Sequence, residues 1–116
     1  MLETKDDLNL SDLGAYHGTE NYVNVFGVNV TDGIGYIMNN GYSWFVTDSI
    51  VILKTIKNQE FLSVKLQVDL ENHKGKMIIT DGNNKVLYTQ NYDYTDAKRN
   101  LTLFFCNNVL MLSGEY

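Results

Sequence analysis

In the stretch Phe61-Leu62-Ser63-Val64-Lys65-Leu66-Gln67-Val68-Asp69-Leu70-Glu71, five aliphatic residues (Leu62, Val64, Leu66, Val68, Leu70) alternate with five polar ones. A period of two predicts a strand with one face in the core and the other in water. The segments downstream repeat the theme. Asn72-His73-Lys74-Gly75 turns into a strand over Lys76–Thr80, and Asp81-Gly82-Asn83-Asn84 reads as a tight loop into Lys85–Asn91. Thr95–Asn100 connects to a strand over Leu101–Cys106, and Asn107-Asn108 suits the positive φ of a two-residue turn before Val109–Leu112.

Upstream the signals are mostly helical. Thr4 can cap a short helix over Thr4–Leu13, with Asp6 and Asp7 in its first turn and Gly14 as a stop. Residues 15–21 read as a loop, and Tyr22–Val30 as one strand. Thr31-Asp32-Gly33 opens a second helix carrying Ile34, Ile37 and Met38, ended by Gly41. Tyr42–Asn58 could be a buried strand at Ile50-Val51-Ile52, but its length favours a helix. Trp44, Phe45, Val51, Ile52 and Ile56 would share its broad apolar face, with Asp48 near the middle. The expected fold is therefore α+β, with N-terminal short helices packed on a mainly antiparallel sheet of about five or six strands. No linker or repeat interrupts the chain, so residues 1–116 are expected to form a single domain.

A chain of 116 residues with 44% hydrophobic and 20% charged residues falls within the globular range, not the disordered one. There is no proline, so the turns fall to Gly, Asn and Asp. The single cysteine, Cys106, lies in an apolar run and has no internal disulfide partner, which fits a reducing compartment. Met1–Asp7 is acidic and has no apolar h-region, so no signal peptide is expected, and Ile50–Leu53 is far too short to span a bilayer; a cytoplasmic location is expected.

Charge is distributed unevenly. Residues 1–53 hold seven acids (Glu3, Asp6, Asp7, Asp12, Glu20, Asp32, Asp48) against Lys5, whereas residues 54–116 hold seven acids and eight bases. Asp6 to Leu53 contains no Lys or Arg. A surface built from that segment repels phosphate backbones and attracts basic proteins, which disfavours direct nucleic-acid binding. Tyr16, Tyr22, Tyr36 and Tyr42 are interleaved with these acids, and rigid aromatics make good anchors in protein recognition.

Catalytic and metal signals are thin. His17 and Glu20 lie three apart, but only His73 and Cys106 remain as soft ligands, too few for a structural zinc site at recognisable spacing. No phosphate loop, dinucleotide turn or Gly-x-Ser-x-Gly element is present. No catalytic residue, metal or cofactor is assigned.

The elements Tyr16-His17-Gly18-Thr19-Glu20-Asn21-Tyr22, Thr31-Asp32-Gly33 with Tyr36, Gly41-Tyr42-Ser43-Trp44 and Asp48 resemble an uncharacterised family of small bacterial, phage and mobile-element proteins. The carboxy end, Phe105-Cys106-Asn107-Asn108 and Leu112-Ser113-Gly114-Glu115-Tyr116, carries the likeness onward, so that it covers residues 13–116. The chain departs from the family pattern at Ser43 and at Ser113-Gly114, where Pro-Ser is usual before Glu-Tyr. The resemblance implies the fold, the helical reading of residues 42–56 and a phage or mobile-element setting. It supplies no catalytic residues.

These readings converge on a small acidic non-enzymatic protein-interaction module, such as an anti-CRISPR-like inhibitor of a host nucleic-acid-handling protein. Its partner would be basic, bound through Asp6, Asp7, Asp12, Glu20, Asp32 and Asp48 with Tyr16 and Tyr22 as anchors, without nucleic acid or membrane. Two alternatives stand beside it. One is a ligand-binding or enzymatic site on the His17–Glu20 loop with Asp32; the other is self-association through an exposed edge strand at Val109–Leu112.

Overall fold

The alternating stretch is a strand over Phe61–Asp69, third of seven in chain order. In a computed structural model of the protein, residues 22–116 are described; the helix expected over Thr4–Leu13 and the loop over 15–21 lie outside them. The elements run β1 (Val23–Val25), β2 (Val28–Val30), α1 (Asp32–Ile37), a π turn (Met38–Tyr42), α2 (Ser43–Leu53), β3 (Phe61–Asp69), β4 (Lys74–Asp81), β5 (Val86–Tyr92), β6 (Leu101–Cys106), β7 (Val109–Leu112) and a 3-10 turn (Ser113–Glu115). The class is α+β as expected. Among the described residues the sheet has seven strands rather than five or six, in the order β1-β2-β7-β6-β3-β4-β5. It is mixed: every neighbouring pair is antiparallel except β2 with β7, which run parallel.

The extra strand comes from Tyr22–Val30, which is a hairpin and not one strand. Val23 faces Val30 and Val25 faces Val28 across a two-residue turn at Phe26-Gly27. Both turn residues have positive φ, 49° and 88°, as in a type I′ turn. The two helices expected over residues 31–58 are both present, joined into one run. Among the described residues there is one helical run, 32–53, broken where Asn40 and Gly41 leave helical geometry. Gly41 (φ 104°) ends the first helix as its sequence position suggests, but the chain then resumes as α2.

The helical run covers one face of the sheet. Ladder partners share a face, so Leu62, Val64 and Leu66 of β3 line up with Ile79 and Met77 of β4 and with Leu103 and Leu101 of β6. Ile34, Ile37, Tyr42, Phe45, Val46 and Ile50 meet this layer and are fully buried. Each large aliphatic so placed contributes roughly 1.5–3 kcal/mol of hydrophobic free energy. On α2 the apolar stripe differs from the expected one: Phe45, Val46, Ser49, Ile50 and Leu53 are buried, whereas Val51 is exposed. Ser49 explains the shift. Its hydroxyl donates to the Phe45 carbonyl at 2.7 Å, which lets a polar residue sit in the core.

β7 is the second correction. Val109–Leu112 pairs with β6 on one side and β2 on the other, so it is an interior strand and not a free edge. Among the described residues the edges are β1 and β5. No helix among the described residues is long and apolar enough to cross a membrane.

A candidate interaction groove at the sheet edge

The β1–β2 hairpin joins the sheet through contacts that link the two ends of the described chain. Asn107 and Asn108 both take positive φ, turning β6 into β7. From that turn the Asn108 side-chain amide donates to the Gly27 carbonyl at 2.9 Å, and the Asn29 N–H donates to the Asn108 carbonyl at 3.0 Å. The Phe26-Gly27 turn is held from two further sides. The Gly27 N–H donates to the Asn24 side chain at 3.1 Å, and Lys54 Nζ donates to the Phe26 carbonyl at 2.8 Å.

A second latch lies at the start of α1. Thr31 caps the helix, its hydroxyl accepting from the Ile34 N–H at 3.3 Å. The same hydroxyl donates to Glu115 Oε1 at 2.6 Å, and the Glu115 carboxylate also accepts from the Leu112 N–H (2.9 Å) and the Gly33 N–H (3.3 Å). Glu115 is buried, and three donors hold its charge. Thr31-Asp32-Gly33 and Glu115 are thus two halves of one structural contact.

Between the edge strand and the helical run lies a groove of about 650 Å³. Val23, Val25 and Val30 form its floor, and Tyr36, Met38 and Asp32 its helical wall. Val23 belongs to the helix-facing side of the sheet, yet it is 64% exposed. Beside it Tyr22 and Phe26 are also exposed, at 50% and 63%. The hairpin thus exposes three large apolar side chains, of which Val23 lines the groove, and no basic residue is among the groove's described lining.

Of the residues expected to bind a partner, Asp32 lines this groove, whereas Tyr22 is exposed next to it in the chain and is not part of the lining. Tyr22 directly precedes Val23, which pairs with Val30, one residue before the Thr31 cap and two before Asp32. Asp48 does not join them. It lies on α2, where its carboxylate accepts from the Tyr92 hydroxyl at 3.0 Å, and Trp44 meets the Tyr92 ring edge-on at 5.1 Å. Burial, and then the nearby Asp48 carboxylate, push the Tyr92 hydroxyl well above its ordinary range. Asp6, Asp7, Asp12, Tyr16 and Glu20, and the His17 loop, lie outside the described residues. Among the described residues no group of three or more His, Cys, Asp or Glu side chains is placed to hold a metal ion. Cys106, expected to be packed in the interior, is half-buried at the end of β6.

Sequence reasoning missed Val23, Val25, Phe26 and Met38 as surface features. The repeat Val23-Asn24-Val25-Phe26-Gly27-Val28-Asn29-Val30 carried the signal: two identical tripeptides flank a two-residue turn that ends in glycine.

The fold and groove together define an α+β domain in which a mixed sheet, covered on one face by a broken helix, ends in a stiffened hairpin. The family of unknown function DUF6876 matches residues 7–116, and the chain belongs to that family. Neither a search of curated proteins nor one of solved structures returned a match.

Proposed function

We propose that this domain is a non-enzymatic protein-interaction module that engages a basic partner through the β1–β2 hairpin and its groove. The observation that carries this reading is Phe26, an aromatic held outward in a left-handed turn by hydrogen bonds from three directions. Phenylalanine is a poor choice for that backbone position, and a buried core gains nothing from it. A rigid exposed aromatic does suit binding, because it covers partner surface with little entropy to lose.

The sign proposed for the partner's charge rests on the sequence. The segment from Asp6 to Leu53, which contains the hairpin and α1, has six acids and no base. Such a surface fits a basic groove of the kind that holds nucleic acid, with fast, salt-sensitive association. This extends the reading to a phage or mobile-element inhibitor that occupies a host nucleic-acid-handling protein, acting in the bacterial cytoplasm.

The test is capture from bacterial lysate on immobilised protein, at low and high salt and with heparin as competitor, beside a Phe26→Ala control. A partner that salt and heparin release, and that the Phe26→Ala protein fails to retain, is the expected result. Capture indifferent to salt and to Phe26 refutes the reading.

A further inference from the structure

We infer that two copies of this chain pair through β5, antiparallel and two-fold about Thr89, so that the Lys85 end of each copy meets the Asp93 end of the other. This goes beyond the proposed function and uses the opposite edge of the sheet from the hairpin.

The hydrogen-bond pattern of the sheet determines which backbone groups of β5 are directed outward. An interior antiparallel strand bonds one neighbour at odd positions and the other at even ones. On β3 the Val68 N–H is directed to the β6 side, where the Asn100 side chain accepts it at 2.8 Å. Ser63, Lys65 and Gln67 therefore bond β4, through Thr80, Ile78 and Lys76. That leaves Met77 and Ile79 to bond Gln90 and Tyr88 of β5. The Asp81 N–H, next in the same alternation, does donate to the Lys85 carbonyl at 3.0 Å. The backbone N–H and C=O of Thr89 and Asn91 are accordingly directed out of the sheet.

Sheet edges are usually blunted by charge, proline, a bulge or shortness. Val86–Tyr92 is seven residues long and contains neither a charged residue nor a proline. The one irregularity in its ladder falls at Leu87, which has no partner between the pairs Val86–Thr80 and Tyr88–Ile79, so Tyr88–Tyr92 runs regularly. Thr89 and Asn91 are exposed, and Tyr88 and Gln90 are half-buried.

What selects a second copy as the occupant is that β5 complements itself. Antiparallel pairing about Thr89 sets Thr89 opposite its own counterpart, a favourable cross-strand pair, and Tyr88 opposite Gln90 on the helix-facing side. Lys85 and Asp93, both exposed, stand four residues to either side of Thr89. Antiparallel alignment brings each lysine end to an aspartate end, twice by symmetry, whereas parallel alignment would bring like to like. A chain of net charge −5 repels its copy at long range, and a neutral strand with oppositely charged ends offsets that at the contact. One strand from each side is a small interface, so the dimer should be weak and concentration-dependent.

Sedimentation equilibrium of the full chain, from micromolar to millimolar protein, is the test. A reversible monomer–dimer equilibrium is expected. Thr89→Lys and Thr89→Glu each set like charges opposite one another and should weaken it about tenfold or more. An equimolar mixture of the two variants should associate again, since opposite charges then meet. Thr89 is exposed, so circular dichroism of both variants should match the wild type. Amide exchange at Thr89 and Asn91 of the wild type should slow as its concentration rises, a measurement that needs no variant. Phe26→Ala should dimerise like the wild type, which keeps this contact distinct from the hairpin. A monomer at every concentration overturns the inference, and residues 1–21 covering β5 in the full chain would give that result. So do a dimer indifferent to charge at Thr89, a mixture that fails to associate, and exchange at Thr89 and Asn91 that ignores concentration.

Discussion

The Glu115 carboxylate receives the Thr31 hydroxyl at 2.6 Å, a contact between residues 84 apart in sequence that closes the end of the chain onto the start of α1. Because Leu112 and Gly33 also donate to it, this one side chain satisfies the last strand, the helix cap and the first helical turn together. Glu115→Ala leaves all three donors in a buried site without an acceptor. The expected cost is about 3 kcal/mol, read as a lower urea midpoint. Glu115→Gln should recover only part of it, since its amide turns donors toward donors. Wild-type stability in Glu115→Ala would contradict the latch.

Gly33 tests the same contact from the other side. A glycine-to-alanine change in a helix ordinarily stabilises by up to about 1 kcal/mol. Here a Cβ would approach Leu112 Cδ1 and the Glu115 carboxyl carbon at 2.7 Å each, with a Glu115 oxygen nearer still. The sign should reverse. Gly33→Ala is expected to lower stability by roughly 2 kcal/mol, and calorimetry showing a raised Tm would exclude the packing described.

How much of this was legible in the sequence depends on the range of the interaction. The β3 alternation and the Asn107-Asn108 turn are local signals, and both elements formed where expected. The hairpin was not recovered, because reading it requires Phe26 to adopt a left-handed backbone that aromatic residues avoid. The parallel β2–β7 pair leaves no local trace; it depends on Asn108 and Glu115 reaching across the fold. Thr31-Asp32-Gly33, Cys106-Asn107-Asn108 and Glu115-Tyr116 stood out as motifs. At Thr31, Gly33, Asn108 and Glu115 the structure gives a stitching reason for the residue rather than a chemical one. For the groove, only Asp32 is singled out in the sequence as a contact residue, as an acid. The groove itself was not legible, since it arises from strand order.

Tyr92 makes stability pH-dependent on the alkaline side. Burial and Asp48 raise its folded value above the ordinary 10.0, so the native chain keeps a proton that the unfolded chain releases. Stability from this group is complete below that ordinary value and declines as pH rises above it. In Tyr92→Phe the decline due to this group should vanish, leaving a protein about 1–2 kcal/mol weaker near neutrality and flatter toward high pH. Urea unfolding at neutral and alkaline pH measures both, and parallel pH profiles for the two proteins would refute the assignment.

Phe26→Asn separates folding from binding at the hairpin. Asparagine tolerates left-handed φ, and Asn-Gly is a favoured pair for a type I′ turn, so relief at φ 49° should stabilise the domain by roughly 1 kcal/mol. The hydrogen bonds that hold the turn survive, because Lys54 and Asn108 bond backbone carbonyls and Asn24 bonds a backbone N–H. Partner capture should nevertheless fall sharply, since the exposed ring is gone. A more stable protein that binds less well is the pattern expected of a residue kept for recognition against its own backbone preference. If Phe26→Asn instead loses stability, the ring contributes to packing. If it gains stability and retains the partner in full, the hairpin is not the contact surface.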